Sequence, residues 1–315
     1  MEHVQCFVGG SSAGHIKPAL QLAHRFRQKE NGHTLFVSTT GLLDRHLVNE
    51  SSVVDEHVML HVVPRSRWHM FRRIKQVGGL FWACIKSIHM LQREFPDRVV
   101  MTGGIVSVPV CCAAWLLHIP IDVYEFNATP GKAVYYTSIL ANTTYICFSK
   151  TASYLPRNVH TVVTPYPVSE PFVSAMSQHD ARMRVHLPND MYVVLVLGGS
   201  QGSQYINNLM QHIVPRLDPQ RYAFVHQTGS KEEEARLSAL YQQYGYTATV
   251  FAFEHDLAPY YYAADMCIAR AGAGTLAEVE ASQCPVCIVP LEAASTKHHQ
   301  LEPCPNQAPP SRIMS

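Results

Sequence analysis

Three stretches of this sequence combine glycine with small polar residues: Gly-Gly-Ser-Ser-Ala-Gly-His at 9–15, Gly-Gly-Ser-Gln-Gly-Ser at 198–203 and Arg-Ala-Gly-Ala-Gly-Thr-Leu-Ala-Glu at 270–278. Each follows an apolar run and precedes residues with helical spacing. Glycine lets a backbone approach a ligand closely, and the first turn of a helix carries unpaired N–H groups with a partial positive charge, so such turns suit a phosphate. One glycine turn alone serves geometry as readily as binding. Three together, two of them in the second half, point to a phosphorylated ligand. None has the Gly-Lys-Ser/Thr of a nucleoside-triphosphate loop, and none carries G-x-G-x-x-G with an acidic residue at the dinucleotide spacing, so neither an NTP loop nor a nicotinamide cofactor is expected.

A proton acceptor is the second chemical requirement of most transfers to a hydroxyl, and imidazole titrates near neutrality. His15 is one of 18 histidines, but it alone sits at the mouth of the first glycine turn. Glu125 closes the apolar run Ile121–Glu125; it is a rival base, an orienting partner, or a carboxylate that stabilises its own turn. Nothing specifies the two opposed carboxylates of a retaining glycosidase. Cys284 and Cys287 form C-x-x-C, but inside Cys-Pro-Val-Cys-Ile-Val-Pro, which reads as a buried strand, and no second ligand pair has metal spacing.

These groups must be positioned by alternating elements. His3–Val8, His33–Thr39, His57–Val63, Arg98–Thr102, Ile121–Glu125 and Thr144–Ser149 read as strands with helical patterns between most of them; Tyr192–Gly199, Tyr222–Gly229, Thr247–Phe253, Met266–Gly272 and Cys284–Pro290 form a second series. That order predicts α/β architecture with two tandem doubly wound, Rossmann-like domains, whose ligands gather at the carboxyl ends of parallel strands. Three prolines within 164–171 predict the linker, giving domains over 1–165 and 166–300. The proline-rich, non-periodic residues 301–315 predict a disordered tail. The chain has 315 residues, 47% hydrophobic and 16% charged, enough for sizeable cores, and its net charge of +1 gives no case for nucleic acid. Nine scattered cysteines suit reduced core thiols in a cytosolic protein. No signal peptide or membrane span is expected.

One segment stands apart. In 64–95, Arg65, Arg67, Arg72, Arg73, Lys75 and Lys86 are interleaved with Trp68, Phe71, Leu80, Phe81, Trp82 and Ile85. Cations for lipid phosphates and large apolar groups for the headgroup boundary predict docking on an anionic membrane surface. The alternative is an ordinary helix whose Leu80, Trp82 and Ile85 pack on the sheet.

Together with Gly-Gly-Ile-Val-Ser-Val-Pro at 103–109 and Tyr-Glu-Phe-Asn-Ala-Thr-Pro-Gly at 124–131, the glycine turns occur in the order found in MurG-type glycosyltransferases, which this chain resembles from about residue 3 to residue 300. The resemblance implies the GT-B fold and transfer of N-acetylglucosamine from UDP-N-acetylglucosamine to a lipid-linked muramyl-pentapeptide, by inversion, at the cytoplasmic face of the membrane. It implies no cofactor and no metal, the charge of departing UDP being met by helix N-termini. Residue by residue, it places Gly199, Ser200 and Gln201 on the donor diphosphate and sugar. The segment around Phe253 and Glu254 then meets the uracil edge, and Gly272, Ala273, Gly274 and Thr275 open a helix towards the diphosphate. Glu278 would hold the ribose, unless Thr275 and Glu278 form a capping box. Gln300 would contact the sugar, Asn127 would join the donor site, and Ser12, Ala13 and Gly14 would face the same cleft, with His15 or Glu125 as base. The basic, aromatic segment matches the family's membrane-facing region.

The chain also departs from the family. Its first turn is one residue longer than the usual G-G-T-G-G-H and poorer in glycine. Ser169 stands where an arginine near the diphosphate is usual, and the end lacks the expected asparagine-alanine and the elements after it. Alternatives are another UDP-sugar transferase with a lipid acceptor, a UDP-sugar epimerase, or a non-catalytic UDP-sugar-binding remnant.

Overall fold

The structure, a computed structural model, describes residues 3–62, 70–174, 176–199 and 202–290, with backbone alone for 70–77 and 173. The chain divides into two compact units, Met1–Pro167 and Val168–Ser315, meeting within the proline-rich stretch.

Unit 1 is built on β1 (Val4–Val8), β2 (His33–Thr39), β3 (Glu56–Leu60), β4 (Arg98–Met101), β5 (Ile121–Glu125), β6 (Thr143–Ile146) and β7 (Thr161–Val163), with α1 (Ala13–Glu30), α2 (Leu42–Asn49), α3 (Met70–Glu94), α4 (Ser107–Leu116) and α5 (Lys132–Ser138). Its strands pair in the order β3-β2-β1-β4-β5-β6-β7, all parallel. Central strands covered on both faces need near-continuous apolar runs, and Cys6, Val8, Leu35, Val37, Val99, Met101, Ile121 and Val123 form the core with residues of α3 and α4.

Unit 2 carries α6 (Glu170–Val173), α7 (Gln178–Arg184), β8 (Tyr192–Leu197), α8 (Gln204–Ile213), β9 (Tyr222–Gln227), α9 (Lys231–Gln243), β10 (Thr247–Phe251), α10 (Ala258–Ala263), β11 (Met266–Ala269), α11 (Ala273–Ser282) and β12 (Val286–Ile288). Its parallel sheet runs β10-β9-β8-β11-β12. Alternate residues of β8 enter opposite cores, Val193, Leu195 and Leu197 on one face and Val194 and Val196 on the other.

The expected doubly wound class is thus observed in each unit. The strands at 33–39 and 121–125 run as the sequence pattern predicts. β7 is an addition: it has three residues, at the sheet edge, with Val162 and Val163 exposed, too short and half-polar a segment to stand out. β3 ends at Leu60 instead of continuing to 63.

Unit 2 also buries a polar network. His226 on β9 is fully buried; its Nε2–H donates to Asn207 Oδ1 at 3.2 Å and its Nδ1 accepts from the Tyr241 hydroxyl at 3.1 Å. That proton placement follows from Asn207, whose amide nitrogen is committed to Thr228 O and Glu233 Oε2. Burial pushes the imidazole down to about 3, opposed by Glu233 and reinforced by Arg236. The unfolded chain therefore takes up this proton first, so stability is intact above about pH 6.5 and declines as pH falls towards the folded-state value. Denaturant titrations from pH 7 to pH 4 should show His226→Gln losing a slope of up to about 1.4 kcal/mol per pH unit that the parent chain retains; parallel curves would contradict a neutral buried imidazole.

Candidate functional site

A doubly wound sheet opens a crevice where its strand order reverses, because the flanking connections leave to opposite faces. In unit 1 that point lies between β1 and β4, and in unit 2 between β8 and β11. The glycine turns flank both.

After β1 the backbones are in contact. A Cβ on Gly9 would meet His15 O and Thr102 Oγ1, each at 2.8 Å, and one on Gly104, whose φ is +85°, would meet Gly10 O at 2.5 Å. Within this turn Ser11 takes φ +70° without being glycine. Asp44 of α2 holds it there: its buried carboxylate accepts from Ser11 N at 3.0 Å, from Thr39 N at 3.0 Å and from Thr39 Oγ1 at 2.6 Å. Ser12 is the N-cap of α1 but its side chain makes no cap bond, and the first turn holds no acidic residue. Ala13 is buried, while Gly14 is exposed.

His15 is half-buried in that first turn. Its Nδ1 lies 2.8 Å from the Thr102 carbonyl oxygen, an acceptor only, so Nδ1 carries the proton and Nε2 keeps its lone pair. The ring rests on Gly103 (φ +108°), where a Cβ would meet Nδ1 and Cε1 at 2.9 Å. Glu125 is differently employed. It is 2% exposed; Oε1 accepts from Asn127 N at 2.9 Å and Asn127 Nδ2 at 2.8 Å, and Oε2 from Gly131 N at 2.9 Å. The carboxylate is committed to the turn after β5, the third of the roles the sequence offered it, and Asn127 is held by the same bonds.

After β8, Gly198, Gly199 and Gly202 close the second turn. A Cβ at Gly202 would meet Thr228 O at 2.1 Å and one at Gly198 would meet Ser203 N at 2.3 Å. Ser203 caps α8, accepting from Ile206 N. Arg270, the first residue of the third turn, donates to the same Ser203 hydroxyl through Nε (3.1 Å) and Nη2 (2.9 Å) and to Pro290 O at 2.7 Å, with its guanidinium 5.3 Å from the Tyr205 ring centroid. Ser200, Gln201 and Gln300 lie outside the described residues.

The third turn corrects one expectation. Gly272, not Thr275, is the N-cap of α11, with Leu276 N bonded to Gly272 O and no side-chain cap. Thr275 is already inside the helix with Ala273 and Gly274, so the capping box with Glu278 does not form. Glu278, half-buried, accepts instead from the buried Tyr261 hydroxyl at 3.1 Å. Glu254 folds its carboxylate onto its own loop, accepting from His255 N at 2.7 Å and Asp256 N at 3.2 Å.

Asp44, Thr102 and Arg270 escaped the sequence reading, since each acts through a partner distant in the chain; only Arg270, inside a glycine motif, offered a local signal.

On α3, Leu80 packs on the unit 1 core, correcting its expected outward role, and Ile85 is half-buried. Phe81 and Trp82 are 64% and 66% exposed. On α4, Trp115 and Leu116 are exposed as well. The side chains of Arg72, Arg73 and Lys75 lie outside the description, as do Arg65, Arg67 and Trp68. No helix among the described residues is long and apolar enough to cross a membrane.

Comparison with known proteins gives two family matches: the glycosyltransferase family 28 N-terminal domain over residues 6–146 and its C-terminal domain over residues 193–303. Curated relatives include the UDP-N-acetylglucosamine–N-acetylmuramyl-(pentapeptide) pyrophosphoryl-undecaprenol N-acetylglucosamine transferases of Thermotoga sp. (strain RQ2) and Moorella thermoacetica. They are 34% and 31% identical over 93% of this chain, covering 81% and 80% of their own lengths. Among solved structures, Acinetobacter baumannii MurG superposes with a TM-score of 0.68 at 25% identity, covering 94% of this chain and 80% of that one. A UDP complex of S. aureus MnaA shares the fold at TM-score 0.59 and 13% identity, over 91% of this chain and 79% of its own.

The contact between His15 and Thr102 fixes one tautomer. Nitrogen-15 NMR of the histidine side chains at pH 8 should show His15 with a protonated Nδ1 and a bare Nε2; the Nε2–H form would contradict this geometry.

Proposed function

This chain belongs to glycosyltransferase family 28, and on that footing we propose that it moves N-acetylglucosamine from UDP-N-acetylglucosamine to the muramyl 4-hydroxyl of the lipid-linked muramyl-pentapeptide, with inversion at the anomeric carbon. Relatives named for that transfer match over 93% of the chain. The observation that carries the residue-level reading is the pairing of glycine turns with the point of strand reversal in each unit.

Unit 2 holds the donor. Its diphosphate lies against the turn containing Gly199, Ser200 and Gln201 and against the uncapped start of α11 at Gly272–Thr275; N–H groups there favour an anion. Uracil meets the loop at Glu254, ribose meets Glu278, and Gln300 reaches the sugar. Ser169 cannot supply a cation, but Arg270, tied to Ser203 beside the same turn, brings one.

His15 is the base. As the acceptor oxygen forms its bond to the anomeric carbon, the bond from that carbon to the β-phosphate oxygen breaks and UDP leaves with the electron pair. The hydroxyl proton passes to Nε2, and the resulting imidazolium stays hydrogen-bonded to Thr102 O. Glu125 positions the neighbouring turn without exchanging a proton. The exposed Phe81 and Trp82 of α3, with the basic residues of the same segment, rest on the anionic cytoplasmic surface of the membrane, where a polyprenyl-linked acceptor resides.

Labelled UDP-N-acetylglucosamine and lipid-linked muramyl-pentapeptide should yield labelled lipid product, and His15→Ala should lower kcat by about 10²–10⁴ without changing UDP affinity. Undiminished transfer by the variant would remove His15 from the chemistry. In vesicle co-sedimentation, Phe81→Glu combined with Trp82→Glu should release the protein from anionic vesicles at unchanged melting temperature, since both side chains are exposed; full retention would contradict membrane docking through this face.

A further inference from the structure

Gln227 is the last residue of β9, the strand lying between β8 and β10 in the unit 2 sheet. Its side chain is 2% exposed, and both ends of its amide are used. Nε2 donates to Gly199 O at 3.0 Å, and Oε1 accepts from Glu254 N at 3.3 Å. The orientation is determined by its partners: reversed, the amide would set oxygen against the Gly199 carbonyl and NH₂ against the Glu254 N–H. One buried group therefore ties the turn after β8 to the loop after β10.

The tie at Gly199 has an electrostatic consequence. Gly199 has φ +87° and open space where a Cβ would stand, so its backbone can adopt more than one orientation at low cost. Its carbonyl also accepts from Gly202 N at 3.0 Å. With both bonds made, the oxygen is anchored inside the turn; released, it is free to point into the space where an anion would lie and oppose it. At the other end, the Glu254 N–H is engaged, which ties that point of the loop after β10 to the end of β9.

We propose that Gln227 is a positioning residue that holds the phosphate-side turn and the base-side loop in register, so that the two halves of a uridine diphosphate bind as one ligand. This rests on the nucleotide reading of unit 2 given above. Gln227 touches no part of the ligand; it acts through Gly199 and Glu254.

Calorimetric titration of the full chain with UDP and with uridine separates the possibilities, because a purely structural role would weaken both ligands equally. In Gln227→Met, which keeps the volume and loses both hydrogen bonds, the advantage of UDP over uridine should fall about tenfold, as expected for losing the one buried hydrogen bond that anchors the phosphate-side turn. Steady-state assays should show the loss in KM for the nucleotide sugar, with kcat little changed. Gln227→Glu, which still accepts from Glu254 N but sets an oxygen against Gly199 O, should weaken UDP and leave uridine binding as in the parent chain, and it serves where the first variant fails to fold. An unchanged ratio of UDP to uridine affinity in either folded variant overturns the inference alone. A parent chain that binds no UDP overturns the nucleotide reading and this inference with it.

Discussion

At the carboxyl end of β8 the Gly202 α-carbon lies so close to the Thr228 carbonyl that a side-chain carbon would have to stand 2.1 Å from it. The same crowding recurs at Gly198 beneath Ser203 and, in unit 1, at Gly9 and Gly104. Everything functional in this molecule depends on that exclusion of side chains. With the backbones in contact there, α1 starts within a few residues of the end of β1 and α8 within a few residues of the end of β8. A larger residue at any of these positions would force the touching backbones apart.

The remainder of each site corrects the orientation of groups already brought near. In unit 1, the Thr102 carbonyl selects one tautomer of His15, Gly103 leaves room for its ring, and Asp44 holds Ser11 in a left-handed conformation. In unit 2, Arg270 ties the third glycine turn to the cap of α8, and Gln227 ties the second turn to the loop at Glu254. The chain's membership of glycosyltransferase family 28 rests on matches to that family's N-terminal domain in unit 1 and its C-terminal domain in unit 2.

The local patterns of the sequence disclosed the parallel sheets, the glycine turns and the placement of His15, because strand hydrophobicity and glycine are written in consecutive residues. Long-range partners left no such trace. Gln227 belongs to an apolar strand and reads as one polar residue at its end, while its partners lie 28 and 27 positions away. The Thr275–Glu278 spacing matches a capping box, yet the helix begins three residues earlier: Gly272 takes the extended conformation of an N-cap, so the spacing falls within the helix and Glu278 turns to Tyr261. Glu125 shows the converse. Its position at a strand end suited a base or a turn brace, and three N–H donors of Asn127 and Gly131 converge on the buried carboxylate, which supports the brace.

The central claim is that unit 2 grips a uridine diphosphate through turns whose backbones touch. Amide hydrogen exchange with and without UDP tests it most directly. The account predicts slowed exchange concentrated in three segments, 198–206, 252–257 and 270–278, with β10 and α9 unaffected. Protection absent from those segments, or confined to unit 1, would contradict it.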